Sequence, residues 1–237
     1  MISFIVPAYN EELELPRTIE SIRAAAKDRQ HEIIVVDDAS TDRTAAIARQ
    51  ADTRLISINR RQIAAARNAG AGAASGDILF FVDADTQVND KHVIGAIAAL
   101  EHGCSGGGAR VAVGGWIPFW TRLFISAFST IYFGLNFGAG AFLFTSRKNF
   151  AVIGGFDETL FIGEEVYFSL ALRKLGRFRV LREPIITSGR KLRLYSTSEI
   201  LRHSFRVIIN GPRIGRSRKG LEIWYDGRRE TTSTSAP

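Results

Sequence analysis

The chain has 237 residues, 46% hydrophobic and 23% charged, enough apolar material for a full core, which excludes a disordered or collagen-like chain. Its 31 Lys and Arg against 24 Asp and Glu give a net charge of +7 that is unevenly spread: Gly176 to Arg229 holds 14 basic and 4 acidic residues, and the remainder has a small acidic excess. Cys104 is the only cysteine, which excludes an internal disulfide and a cysteine zinc cluster and suits a reducing compartment.

Ile2 to Val6 reads as a short strand expected to stop at Pro7, and with no basic residues ahead of it the N-terminus reads as the first strand of the domain rather than a signal peptide. Leu13 to Lys27 has apolar residues at helical spacing, Glu32 to Val36 repeats the strand signal, and Ser40-Thr41-Asp42 is placed to cap a helix over Thr44 to Gln50. Arg54 to Ile58, Ala64 to Ala74 and Asp77 to Val82 continue the alternation as strand, Ala-rich helix and strand. That rhythm predicts an α/β sheet with parallel order and helices on both faces. Further on, a helix is expected at about Pro118 to Leu135, strands at about Ala139 to Thr145 and Pro184 to Thr187, and helices over Glu165 to Lys174 and Ser198 to Ile209.

Acidic clusters fall where these strands end. Pro7 to Glu12, Asp37 to Asp42 and Asp83 to Asp85 then converge on the carboxyl edge of the sheet, where open α/β sheets bind ligands. Asp83 and Asp85, two positions apart, are hard oxygen ligands suited to magnesium or manganese shared with a diphosphate, although Asp is also common in turns. Tyr9 offers a ring for stacking on a base, while Glu11 and Glu12 also suit the first turn of a helix. Asp37 and Asp38 supply more carboxylate than a cap needs.

Taken together, Pro7-Ala8-Tyr9-Asn10-Glu11, Val36-Asp37-Asp38-Ala39-Ser40-Thr41-Asp42, Ala66-Arg67-Asn68-Ala69-Gly70, Gly76-Asp77, Asp83-Ala84-Asp85, Gly154-Gly155-Phe156-Asp157-Glu158 and Gly163-Glu164-Glu165 resemble, in order and spacing, a family 2 glycosyltransferase over about residues 2 to 182. The resemblance implies a GT-A fold, a Rossmann-like, mostly parallel sheet flanked by helices. It implies that Pro7, Tyr9 and Glu11 line the nucleotide pocket, that Asp38 meets the base with Arg67 near it, that Asp83 contacts ribose or metal, and that Asp85 ligates Mn2+ or Mg2+. Gly155, Phe156 and Asp157 resemble the acceptor-side loop. The family carries Glu-Asp where this chain has Glu164-Glu165; Glu165 takes the place of the general base, with Glu164 as the alternative. The plain reading of both, as acids favoured by a helix N-terminus, stays open.

The implied reaction moves one sugar from a nucleotide-sugar donor, UDP-linked first and GDP-mannose second, to an acceptor hydroxyl with inversion. No Gln-x-x-Arg-Trp sequence of the processive members occurs, so a single transfer is expected. The organisation expected is a catalytic domain over 1–182, a basic helical extension over 183–230 packed on or near the active site, and a disordered tail over 231–237. Leu123 to Ser146 lacks charge, and 8 of the 16 Phe lie between Phe119 and Phe150; core packing or contact with a lipid or membrane explains them. The basic extension reads as a solvated face or as a surface for anionic lipid or a phosphorylated acceptor, with nucleic acid excluded as a partner for want of a binding motif. Arg190 and Lys191 are candidates for the donor diphosphate, and His203 for a further metal ligand. The expected location is cytoplasmic, peripheral on the inner face of the membrane. Competing readings are a sugar nucleotidylyltransferase, disfavoured by the acidic, glycine-free Pro7 to Glu12, and a nucleotide-sugar-binding protein without turnover, for which Glu165 is the motive.

Overall fold

The computed structural model describes residues 1–114 and 137–188 and the single residue Arg216. The helix expected near Pro118 to Leu135, Arg190, Lys191, His203 and most of the basic extension lie outside the described residues.

In chain order the elements are β1 (Ile2–Ala8), α1 (Leu15–Ala26), β2 (His31–Asp38), α2 (Thr44–Gln50), β3 (Arg54–Ile58), α3 (Ile63–Ala73), β4 (Ile78–Val82), β5 (Thr86–Gln87), α4 (Asp90–Glu101), β6 (Cys104–Gly114), β7 (Phe142–Ser146), α5 (Arg147–Ile153), α6 (Glu164–Leu175) and β8 (Arg177–Ser188). They build one eight-stranded sheet in the order β3-β2-β1-β4-β7-β6-β8-β5. The first four are parallel, as the alternation predicts. β7 then enters antiparallel to both β4 and β6, while β6 and β8 run parallel. β8 runs through residue 182; it pairs with β6 along its length, with a register shift between Leu181 and Pro184, and its end also pairs with β5.

Alternating side chains send the core to both faces. Phe4 and Val6 of β1 pack with Ile19 and Ile22 of α1 and Val93 of α4. Ile5, between them in sequence, packs on the other face with Ala66 of α3 and Phe168 and Leu172 of α6. The period of two puts successive residues of a strand on opposite faces, and burial on both explains why Ile33-Ile34-Val35-Val36 is uniformly apolar. Gly70 brings α3 close to the sheet: a Cβ there meets Ile5 Cγ2 at 2.4 Å and Val36 Cγ2 at 3.0 Å, closer than real side chains pack.

β1 does not stop at Pro7; it extends to Ala8. The reason lies in the ladders. Pairing of β1 with β4 ends at Ile5 opposite Phe81, whereas pairing with β2 continues through Pro7 and Ala8. Pro7 therefore sits where one side of the strand is already open, the setting in which a missing N–H is tolerated. The helix expected at Thr44 has its capping acceptor in Asp42, whose Oδ1 takes the Thr44 N–H at 2.9 Å. No described helix is long and apolar enough to cross a membrane.

Candidate active site

The carboxyl ends of β1, β2 and β4 carry Tyr9, Asp38 and Asp83, neighbours because those strands are neighbours in the sheet. The first two loops are laced together. Ser40 Oγ accepts from the Asn10 N–H at 2.9 Å, Thr44 Oγ1 from Glu11 N–H at 2.8 Å, and Asp42 Oδ2 from Glu12 N–H at 3.1 Å. Asn10 Oδ1 returns the contact, accepting from the Thr41 N–H at 2.8 Å. Asn10 and Ala39 adopt positive φ, 51° and 61°, conformations that non-glycine residues hold only when their surroundings fix them.

Asp38 is buried, and both oxygens are engaged. Oδ1 accepts from the N–H groups of Arg60 at 2.7 Å and Arg61 at 2.8 Å, and Oδ2 from Gln62 at 2.7 Å. Gln62 is the N-cap of α3 and has no side-chain cap of its own, so a carboxylate from the end of β2 closes the approach to that helix. The base contact expected of Asp38 has to coexist with this clamp.

Arg67 is almost fully buried. Its guanidinium, 1% exposed, donates from Nη1 to Glu164 Oε1 at 2.7 Å and from Nη2 to Asp83 Oδ1 and the Gly140 carbonyl, both at 3.0 Å. The structure joins it to Asp83 and Glu164, while Asp38 is engaged by the N–H groups of Arg60, Arg61 and Gln62. Arg67 lies one helical turn into α3, which packs over β1 and β2, and the carboxylates around it are what make a buried cation tolerable. Those carboxylates, against the opposing effect of burial, hold its pKa above the ordinary arginine value. The sequence motif showed the arginine; its partners, 16 and 97 residues away, carry no local signal.

Glu164 and Glu165 open α6, whose N-cap is Gly163 at φ 78°. Glu164 is buried against Arg67, its side chain 6% exposed. The carboxyl of Glu165 is pushed up to about 8, first by burial and then by the charge of Glu164, with Arg67 opposing. The two adjacent acids thus differ: Glu164 is fixed in an ion pair with Arg67, and burial raises the pKa of Glu165 above the ordinary glutamate value.

The loop at Gly155 to Glu158 hangs on the residue beside Arg67. Asn68 Oδ1 accepts the Phe156 N–H at 2.9 Å, and its Nδ2 donates to the Phe156 carbonyl at 2.9 Å and to Glu158 Oε1 at 3.0 Å. Gly155 has φ 77°, and a Cβ on it meets Asn68 Oδ1 at 2.7 Å, so glycine serves both the turn and the contact. Phe156 is 3% exposed and stacks on Phe168 with centroids 4.1 Å apart. It anchors the loop in the core. Asp157 is exposed and accepts from the N–H and hydroxyl of Thr159, which hold its pKa below the ordinary aspartate value.

Asp83 and Asp85 flank the tip after β4. Asp83 keeps 29% of its side chain exposed beside Arg67, and Asp85 Oδ1 accepts from Thr187 Oγ1 at 3.2 Å. Among the described residues no three His, Cys, Asp or Glu side chains gather as a ready metal cage. Two carboxylates on one tip fit an ion that draws its other ligands from water and substrate phosphate, as magnesium and manganese do. Pro7 is buried within β1 and Glu11 is 8% exposed below the Tyr9 turn.

A model of Glycosyl transferase family 2 matches residues 3–155. The 4,4'-diaponeurosporenoate glycosyltransferase of Staphylococcus haemolyticus is 37% identical over 103 residues, 40% of this chain and 27% of that protein. The undecaprenyl-phosphate 4-deoxy-4-formamido-L-arabinose transferase of Photorhabdus laumondii is 34% identical over 121 residues, 47% of this chain and 37% of that one. The chain thus spans well under half the length of these curated relatives. Among solved structures, the mannosyltransferase PcManGT of Pyrobaculum calidifontis, in complex with GDP-Man and Mn2+, superimposes with a TM-score of 0.68 at 19% identity, covering 95% of this chain and 68% of that one. S. aureus TarS 1-349 in complex with UDP-GlcNAc gives 0.62 at 20% identity, covering 95% and 71%. At such identities the likeness is one of fold.

Proposed function

Because the chain belongs to family 2 of the glycosyl transferases, we propose that it transfers one sugar from a nucleoside-diphosphate sugar to an acceptor, with inversion and with Mn2+ or Mg2+ held by Asp83 and Asp85. The observation that carries this reading is the Asp83–Arg67–Glu164 bridge, which ties the strand end suited to the diphosphate to the helix that bears the base. Tyr9 and Asp38 lie on the base side, and Asp83 and Asp85 on the diphosphate side. Glu165 takes the proton of the acceptor oxygen as that oxygen attacks the anomeric carbon from the side opposite the leaving nucleoside diphosphate. A carboxyl held near 8 is matched to this work, since proton transfer is most effective when the base titrates near the operating pH. Asp83 and Asp85 would hold a divalent cation, which would neutralise charge on the departing diphosphate.

The names of the curated relatives, a 4,4'-diaponeurosporenoate glycosyltransferase and an undecaprenyl-phosphate 4-deoxy-4-formamido-L-arabinose transferase, favour a lipid acceptor reached from a membrane surface. UDP- and GDP-linked donors are both carried by solved structures of this fold.

A thermal-shift series tests the reading. At a hundred times its Kd, a nucleoside diphosphate that binds only the folded chain stabilises it by about 2.7 kcal/mol, a rise of roughly 5–10 °C for a domain of this size. The rise is expected with UDP or GDP in the presence of Mn2+ and is smaller with either component alone. Absence of a shift with every nucleoside diphosphate in Mn2+ counts against the reading.

A further inference from the structure

Arg61 has no place in the site as the motifs describe it, yet its guanidinium carbon lies 3.3 Å from the centroid of the Tyr9 ring. At that separation a planar group fits over the ring only when nearly parallel to it, since a tilted guanidinium drives a nitrogen into the ring. The arrangement is imposed by the backbone. Asp38 Oδ1 accepts the Arg61 N–H at 2.8 Å, and Arg61 holds φ at 49°. This left-handed conformation is uncommon for a residue with a side chain and is concentrated where ligands are gripped.

Topology says which part of a donor this pair meets. Arg61 follows β3 and Tyr9 follows β1, with β2 and Asp38 between them, whereas Asp83 and Asp85 follow β4 on the other flank of β1. The stacked pair is therefore on the side of the site away from the two carboxylates suited to the cation and diphosphate. Its chemistry agrees: a guanidinium is planar, weakly hydrated and stacks on aromatic faces, and nucleobases stack on both tyrosine rings and arginine planes. A basic side chain placed for the diphosphate has no need of a tyrosine beneath it.

We propose that Arg61 is a donor-binding residue whose guanidinium plane, layered with Tyr9, forms the stacking platform for the nucleobase. The proposal rests on the nucleotide-sugar reading given above. It makes the platform a recognition element for the base that is tied to Asp38: one carboxylate fixes both the start of α3 and the pose of Arg61.

Titration calorimetry with UDP, GDP and inorganic pyrophosphate, each in Mn2+, tests it on the wild type and on Arg61→Met and Arg61→Lys. Stacking of a base is worth enough that its loss lowers affinity about tenfold or more. Both variants are expected to lose that much for the preferred nucleoside diphosphate and to bind pyrophosphate as the wild type does, with an unchanged melting temperature. Three results overturn the proposal: both variants bind the nucleotide as tightly as the wild type; Arg61→Lys keeps nucleotide affinity while Arg61→Met loses it for pyrophosphate too, which assigns charge and not stacking; or the melting temperature falls in both, which assigns a structural role. In each of these the wild type still binds nucleotide and the transferase reading stands. A wild type that binds none of the nucleoside diphosphates overturns both.

Discussion

Replacing Arg67 by Met removes the positive member of a buried set while keeping much of its apolar volume. In the native protein the guanidinium serves Glu164, whose side chain is 6% exposed, together with Asp83 and the Gly140 carbonyl. Without it Glu164 is a buried charge with no cation, and a carbonyl loses a donor. Breaking a buried pair from one side costs about 3–5 kcal/mol, most of it the desolvation of the partner left behind. For a domain of this size that is a fall in melting temperature of roughly 6–20 °C. The same argument makes a second, sharper statement. If the cost is the stranded carboxylate, Arg67→Met combined with Glu164→Leu recovers much of the loss, because a buried ion pair exchanged for apolar groups of similar volume is often neutral or better. Urea unfolding of the two single variants and the double variant gives the coupling directly. A cost below about 1 kcal/mol for Arg67→Met, or a double variant as unstable as the sum of the singles, refutes the reasoning, since the bridge is then not what holds α6 to the sheet.

Two further outcomes follow from groups with displaced titration. With Glu165 held at about 8 and required as its carboxylate, kcat/KM rises with pH from 6 and levels off above about 8; Glu165→Gln lowers kcat by roughly 10²–10⁴-fold, and a flat pH profile in the wild type argues against Glu165 as the base. His92, at the start of α4, accepts the Asn89 N–H at 3.0 Å through Nδ1 and is 1% exposed; burial above all lowers its pKa from 6.5. A depressed histidine resists protonation in the folded state, so its contribution is complete above 6.5 and is lost as pH falls below 6.5 through the folded value. The urea midpoint is therefore expected to fall on acidification below 6.5 more in the wild type than in His92→Gln, and equal falls count against it.

The parallel half of the fold was legible because its signals are local. Apolar runs ending in Asp or Asn, alternating with helical spacing, placed β1 to β4 and the helices between them to within a few residues, and Thr44–Gln50 and Arg54–Ile58 agree at both ends. The far half was less legible. β7 runs antiparallel between β4 and β6, and nothing in Phe142-Leu143-Phe144 states a direction, because a strand buried on both faces reads alike either way. Pro7 misled for a related reason: its cost depends on whether a neighbouring ladder still needs its N–H, which only the pairing of β1 with β4 reveals.

The site divides along the same line. A motif read from sequence names residues but not their partners, and partners decide roles. Arg67 and Asn68 are adjacent on α3, yet one turns inward to Asp83 and Glu164 and the other outward to Phe156 and Glu158. A single turn of helix thereby ties together the end of β4, the start of α6 and the loop at Phe156 to Glu158. Gly70, one turn on, is what lets that helix lie close enough to the sheet for both reaches to succeed. The same dependence separates Glu164 from Glu165. They are equivalent as letters at a helix start, and they differ in the fold because Arg67 lies 2.7 Å from the first, whereas burial and the charge of Glu164 dominate at the second.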